Sequence, residues 1–286
     1  MTRVGFILKP KQNNEARNQL YKLAEWVHAQ GHTAVVVAED RVNPQGAKMV
    51  PEGQLSEAID LCVALGGDGT MLRASRAIEN RDIPLLGINL GRLGFLSPFE
   101  PADAVQSVSD AIAGKLPRTQ RMRLAVTYLP KDAEPVHRTA LNDVVINQGA
   151  MARLIELQAH LGECFINSYR ADGLVISTPT GSTAYNLAAG GPMMYPGLAA
   201  VAITPICSQG LNNRPLVVPC DSSIRLSMSG ESKGVVLTVD GQWAHSFQTG
   251  DEVIITASPT PLTLYKSDED YFNILRAKLH WGVGPT

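Results

Sequence analysis

The segment Asp60 to Leu65 (DLCVAL) is an apolar run that ends directly on Gly66-Gly67-Asp68-Gly69-Thr70. A short run with no polar face fits a strand covered on both sides, as in a parallel sheet. The glycines then force a tight turn, and a helix follows from about Thr70 to Glu79. Parallel strands need crossover helices, so the rest of the first half must supply them. Arg3 to Leu8 reads as a buried strand. Residues 15–30 place Ala16, Leu20, Leu23, Ala24 and Val27 on one helical face, with Gly31 ending the helix. Ala34 to Ala38 reads as the next strand, Val42 to Gln54 as a loop rich in Pro and Gly, Pro84 to Ile88 as a strand, and Ala102 to Ala113 as a helix.

After Lys115 the pattern changes. Strand-like segments dominate: Leu124 to Leu129, Ala140 to Asn147, Leu154 to Leu161, Leu174 to Ser177, Ala200 to Thr204, Ile224 to Met228, Val235 to Val239 and Val253 to Ala257. Short turn-rich intervals separate them, which predicts a β-rich sandwich or layered sheet. Tyr271 to His280 is helical again, with Phe272, Leu275 and Leu279 on one face. The fold expected is an α/β domain over 1–118, joined by 268–286, and a β-rich domain over 119–267. The last helix returns to the first domain.

Composition excludes several classes. The net charge is −2, from 25 basic and 27 acidic side chains, which argues against a globally basic nucleic-acid binder. Apolar runs are far shorter than the roughly 18 residues of a membrane span. No signal peptide is expected, since Arg3 and Lys9 flank only the short run Val4 to Leu8. Cys62, Cys164, Cys207 and Cys220 lack metal or redox spacing, which fits packed thiols in a reducing cytoplasm. The six histidines are scattered, with no HExxH cluster. P-loop, GxGxxG and protein-kinase strings are absent from their expected places.

Two glycine-containing turns carry the candidate chemistry. In open α/β sheets, ligands bind beyond the carboxyl ends of strands. Glycines at Gly66, Gly67 and Gly69 let backbone N–H groups, with that of Thr70, approach phosphate oxygens, and the helix start adds partial positive charge. Asp68 is out of place beside phosphates unless it binds a metal or accepts a proton; its bland role would be an N-cap. The second turn runs from Ser177 to Asn186 (STPTGSTAYN), with five hydroxyl side chains in seven residues and a helix expected from about Ser182 or Thr183. Such a turn can hold phosphate, ribose or base edges.

These strings resemble the NAD kinase family of bacterial type. The resemblance is carried by Gly66 to Thr70, Gly87 to Leu96 (GINLGRLGFL), Asn142-Asp143, Ser177 to Pro192 (STPTGSTAYNLAAGGP), Val239 to Gln242 (VDGQ) and Leu275 to Trp281 (LRAKLHW). It runs from about residue 4 to residue 281. It implies a phosphotransferase that moves the γ-phosphoryl group of ATP to the 2′-hydroxyl of the adenosine ribose of NAD, giving NADP and ADP. It also implies a divalent cation, Mg²⁺ by expectation, with unknown ligands, and a cytoplasmic homodimer or homotetramer with no membrane or nucleic-acid partner. The family's proton acceptor falls on Asp68, with Gly69 beside it. Further NAD contacts fall on Arg73, Phe95, Asn142, Asp143, Arg153, Arg170, Asp172, Thr183, Ala184, Tyr185, Asn186, Leu187, Ala188 and Gln242. Asp143 is one methylene shorter than the family's Glu, and Asp172 follows Ala171 where Gly or Ser is usual. Two other readings share parts of the pattern: a lipid kinase, which has GGDGT but needs a membrane route, and a catalytically silent nucleotide sensor.

Overall fold

The computed structural model describes residues 1–9, 14–78, 81–91, 94–149, 154–210, 212–230, 234–267 and 270–280. Two units divide the chain: Met1–Gln120 with Leu262–Thr286, and Arg121–Pro261.

The first unit follows the strand–helix alternation of its sequence. Its elements are β1 (Arg3–Leu8), α1 (Asn14–Ala29), β2 (Thr33–Val37), β3 (Lys48–Val50), α2 (Leu55–Ala58), β4 (Leu61–Leu65), α3 (Asp68–Ala77), β5 (Leu85–Ile88), α4 (Ala104–Ile112) and β6 (Arg118–Arg121). The sheet order is β3-β2-β1-β4-β5, followed by a late strand, Leu262–Tyr265, and then β6. β1 pairs in parallel with both β2 and β4, and β4 with β5. The chain first builds outward on one side of β1 and then returns to the other. The carboxyl ends of β1 and β4 are therefore the topological switch point of the sheet, the place where open α/β sheets bind ligands.

Phe6, Leu8, Val36, Val63 and Leu65 are buried against Leu20, Leu23 and Val27 of α1. α1 ends as its sequence predicts. The Gly31 N–H donates to the His28 carbonyl (3.0 Å) and the His32 N–H to the Val27 carbonyl (3.1 Å), closing the last turn. The segment expected to be a loop over Val42 to Gln54 contains β3, which pairs in parallel with β2. Only Val50 of its three residues is buried, so this edge strand has no apolar run to announce it. α3 begins at Asp68, two residues earlier than expected.

The second unit contains β7 (Leu124–Leu129), β8 (Val136–Ala140), β9 (Asp143–Gln148), β10 (Ile155–Leu161), β11 (Cys164–Ala171), β12 (Gly173–Ser177), α5 (Tyr185–Ala188), β13 (Ala200–Ile206), β14 (Leu216–Pro219), β15 (Ile224–Ser229), β16 (Val235–Val239), β17 (Trp243–Ser246) and β18 (Glu252–Ala257). They form two six-stranded sheets, β11-β10-β15-β18-β7-β8 and β14-β13-β12-β9-β16-β17. Val126, Leu157 and Leu226 from one sheet meet Ile146, Ile176 and Leu237 from the other in a single core. Alternating burial along β7, β15 and β16 is the signature of strands with one face inward.

The chain then re-enters the first unit through β19 (Leu262–Tyr265), where Leu264 pairs in parallel with Leu85 of β5. Because β19 is a strand of that sheet, the second crossing lies at residue 262, not at 268. α6 (Tyr271–Leu279) follows. Its buried residues are Ile274 and Leu275, whereas Phe272, expected on the apolar face, is 41% exposed.

Candidate active site

The Gly66–Thr70 turn leaves β4 at the switch point. Gly66 has φ +153, and a Cβ there would overlap the Thr70 hydroxyl oxygen, so this position needs glycine. Its N–H is already used by the Ile88 carbonyl (2.9 Å), and the Thr70 N–H by the Gly67 carbonyl (2.9 Å). Those two amides are therefore not donors for phosphate, against expectation. Gly67 and Gly69 face open space, and Gly67 and Asp68 open α3, where first-turn N–H groups lack intrahelical acceptors.

The Asp68 carboxylate does not cap α3. It reaches across to the 94–97 segment. Oδ1 accepts the Leu96 N–H (2.9 Å) and Oδ2 the Phe95 N–H (3.0 Å). The Lys278 ammonium of α6 lies 3.2 Å from Oδ2 and 4.3 Å from the centre of the Phe95 ring. A Cβ on Gly94 would overlap both Asp68 Oδ1 and Ser97 Oγ, so glycine is required for this approach. Phe95, expected to contact NAD, here holds Asp68 with its backbone and Lys278 with its ring. A carboxylate neutralised by an ammonium and two N–H groups is poorly placed to ligate a metal.

Arg73 corrects an expectation. Predicted to contact NAD, it is buried and engaged within the protein. Nη1 donates to the Leu8 carbonyl (2.7 Å) and Asp40 (2.6 Å), while Nε and Nη2 donate to Glu52 (2.9 and 2.6 Å). Burial pushes the Asp40 carboxyl up, and the Arg73 hydrogen bond opposes that. Arg73 ties α3 to the end of β1 and to the 40–52 segment.

In the second unit, the hydroxyl-rich turn is closed onto the segment 141–143. The Thr178 N–H donates to the Asn142 carbonyl (2.9 Å) and its hydroxyl to the Leu141 carbonyl (2.6 Å). Gly181 lies so close to the Asn142 carbonyl that a Cβ would overlap it. The helix expected from Ser182 is a 3₁₀ turn (Gly181–Thr183) followed by the single turn α5. Ser182 is consumed internally, donating to the Pro179 carbonyl (2.7 Å) and accepting the Met194 N–H (2.9 Å). Asn186, another predicted NAD contact, is fully buried. Its amide donates to the Pro192 carbonyl (3.0 Å) and accepts the Thr204 hydroxyl (2.7 Å), so it supports the turn from beneath. Ala184, Tyr185 and Ala188 are exposed, and Thr183 and Leu187 half-buried.

Sequence reasoning gave no role to Asp240, which organises the 141–143 segment. Asp240 and Gly241 have φ +52 and +61, and the Gln242 N–H donates to the Val239 carbonyl (3.0 Å), forming the β16–β17 hairpin turn. The Asp240 carboxylate accepts the N–H groups of Leu141 (2.8 Å), Asn142 (2.7 Å) and Asp143 (3.1 Å). Asp143 is buried beside it. Burial first, and the Asp240 charge second, push the Asp143 carboxyl up to about 7. Asp172 is half-buried, and Arg170 and Gln242 are exposed. Arg153 lies outside the described residues. Among the described residues no group of three His, Cys, Asp or Glu side chains could hold a metal.

A strand-end carboxylate with an ammonium beside it, next to a helix start suited to phosphate, is the equipment of a nucleotide phosphotransferase. Two family models match the chain: the ATP-NAD kinase N-terminal domain over residues 4–116 and the ATP-NAD kinase C-terminal domain over 141–267. The NAD kinase of Trichlorobacter lovleyi is 44% identical over 82% of this chain and 84% of its own length. That of Solibacter usitatus is 38% identical over 97% of each. Among solved structures, yeast NADH kinase complexed with NADH superposes with a TM-score of 0.91 at 28% identity, covering 100% of this chain and 89% of that one. An Archaeoglobus fulgidus NAD kinase in complex with ATP shares the fold, with a TM-score of 0.76 at 23% identity over 96% and 99% of the two chains. The chain belongs to the NAD kinase family, whose reaction is the ATP-dependent phosphorylation of NAD to NADP. The lipid-kinase and silent-sensor readings are set aside.

Proposed function

We propose that Asp68 is the proton acceptor for the adenosine 2′-hydroxyl of NAD as the γ-phosphoryl group of ATP reaches it. The observation that carries this reading is the fixed Asp68 carboxylate at the switch point, held by the Phe95 and Leu96 N–H groups. A ribose hydroxyl is a far weaker acid than a carboxylic acid, so Asp68 does not ionise it ahead of attack. It orients the hydroxyl and takes the proton late. A loose, metaphosphate-like transition state asks little of the nucleophile, so late transfer suffices.

NAD is held by Asn142, Asp143, Asp172, Arg153, Arg170, Thr183, Ala184, Tyr185, Leu187, Ala188 and Gln242. The exposure of Ala184, Tyr185 and Ala188 supports this, and so does the anchoring of the turn by Asn186 and Asp240 from behind. Gly67 and Gly69 allow the ATP phosphates close to the start of α3, ten residues long. Mg²⁺ usually keeps several waters and binds through phosphates plus one or two carboxylates, so it needs no dedicated protein cage. When bound, it supplies charge neutralisation on the phosphates.

The edge strand β14 exposes Leu216 and Val217, which favours pairing with a second copy in a homodimer or homotetramer. Four free thiols suit a reducing cytoplasm. No helix among the described residues is long and apolar enough to cross a membrane.

The test is Asp68→Asn with Mg²⁺, ATP and NAD, NADP being read with an NADP-specific dehydrogenase. The variant binds NAD as the parent does by calorimetry, and its kcat falls roughly 10²–10⁴-fold, the span for loss of a general base. Parental turnover would refute the assignment.

A further inference from the structure

We infer that Lys278, on the last helix, is a positioning residue that assigns the accepting role to one oxygen of Asp68. The inference rests on the reading of Asp68 as proton acceptor. A carboxylate offers about four acceptor positions, two on each oxygen. On Oδ2 the Phe95 N–H (3.0 Å) and the Lys278 ammonium (3.2 Å) fill both. On Oδ1 the Leu96 N–H (2.9 Å) fills one. Among the described residues nothing fills the other, so the incoming hydroxyl is received at Oδ1. Gly94 packs against Oδ1, where a Cβ would overlap both that oxygen and the Ser97 hydroxyl. That hydroxyl is buried and has no hydrogen-bond partner among the described residues, so a polar group is wanted there.

Lys278 is itself fixed at two points. Its ammonium sits 4.3 Å from the centre of the Phe95 ring, a favourable cation–π distance. Ile274, one helical turn earlier, and Leu275 are buried and dock the helix. Lysine has a flexible stem and is a compact point charge, so without these constraints it would not hold one geometry.

The step balances as follows. The 2′-oxygen forms a bond to the γ-phosphorus, and the bond from that phosphorus to the bridging oxygen breaks, its electron pair leaving with ADP. The hydroxyl O–H bond breaks, and its proton is taken by Oδ1. Oδ2 then becomes the carbonyl oxygen of a neutral acid and still accepts from Lys278. The carboxyl group stays in place through the transfer, and the proton departs to solvent afterwards.

The experiment compares Lys278→Met, Lys278→Gln and Lys278→Arg, each alone and with Asp68→Asn. It measures kcat, KM for NAD, NAD affinity by calorimetry, and melting temperature. Lys278→Met lowers kcat roughly 10- to 100-fold, the scale of one charge-assisted hydrogen bond, and leaves NAD affinity within about threefold. Lys278→Arg, which keeps the charge and can stack on Phe95, recovers most of the loss. In the Asp68→Asn background Lys278→Met costs under about twofold, because the two side chains act as one unit. Lys278→Gln carries the comparison if Lys278→Met destabilises the helix. If Lys278→Met turns over like the parent while Asp68→Asn is slow, the inference about Lys278 fails and the role of Asp68 stands. If the two losses multiply, Lys278 acts on something other than Asp68, and the inference is overturned. If Asp68→Asn is itself fast, the underlying reading has failed, whatever Lys278 does.

Discussion

The carboxyl of Asp143 gives a stability effect whose sign and size follow from its surroundings. It is 6% exposed and sits beside the Asp240 carboxylate, and its pKa is pushed from 3.8 to about 7. The folded chain therefore holds a proton there that the unfolded chain releases. This contribution is fully present below the unfolded value near 4 and is lost as pH rises through about 7. Three pKa units correspond to about 4 kcal/mol, an upper figure for the whole window. Asp143→Asn keeps the shape and cannot ionise. The variant and parent should be nearly equal in stability at pH 4.5, and the variant should gain about 2–4 kcal/mol over the parent by pH 8. The assay is urea unfolding of both proteins at each pH, read by circular dichroism. Taking the difference at each pH cancels the other titrating groups. A difference that stays flat from pH 4.5 to 8 would refute the reasoning.

Two further variants separate structure from chemistry. Gly94→Ala forces a methyl group against Asp68 Oδ1 and should lower kcat roughly 10²-fold, the usual cost of ~1 Å of misplacement, with the melting temperature moving far less. A kcat loss no larger than the loss of folded protein would contradict this. Arg73→Met strands the buried Asp40 without its partner and should cost about 3–5 kcal/mol in urea unfolding, while NAD affinity of the folded protein is unchanged. A weakened NAD Kd at unaltered stability would restore Arg73 as a ligand contact.

What could be read in advance depended on how local each signal was. β1, β2 and β4 were legible because parallel strands buried on both faces leave continuous apolar runs. β3, β14 and β17 were not, since each is short and mostly exposed, with no period to detect. Phe272, Leu275 and Leu279 had the right spacing for a helix face, yet docking buried Ile274 with Leu275 instead. The site divides in the same way. The GGDGT string marked Asp68 because turn chemistry and strand end are neighbours in sequence. Lys278 is 210 positions away, and Asp240 is 98 from Asn142, so only tertiary packing pairs them. The string that contains Lys278 (LRAKLHW) and the Asp-Gly turn at 240–241 were both visible, but neither shows what its charged side chain touches. Arg73 and Asn186 illustrate the converse: polar residues inside a functional motif can hold the motif's shape rather than the ligand.

The proposed chemistry turns on one oxygen atom, Oδ1 of Asp68. A crystal structure with NAD and a non-hydrolysable ATP analogue measures it directly. The adenosine 2′-oxygen is predicted to lie about 2.6–3.2 Å from Oδ1 of Asp68, with Lys278 still on Oδ2. A 2′-oxygen facing another side chain, with Asp68 out of hydrogen-bond reach, would contradict it.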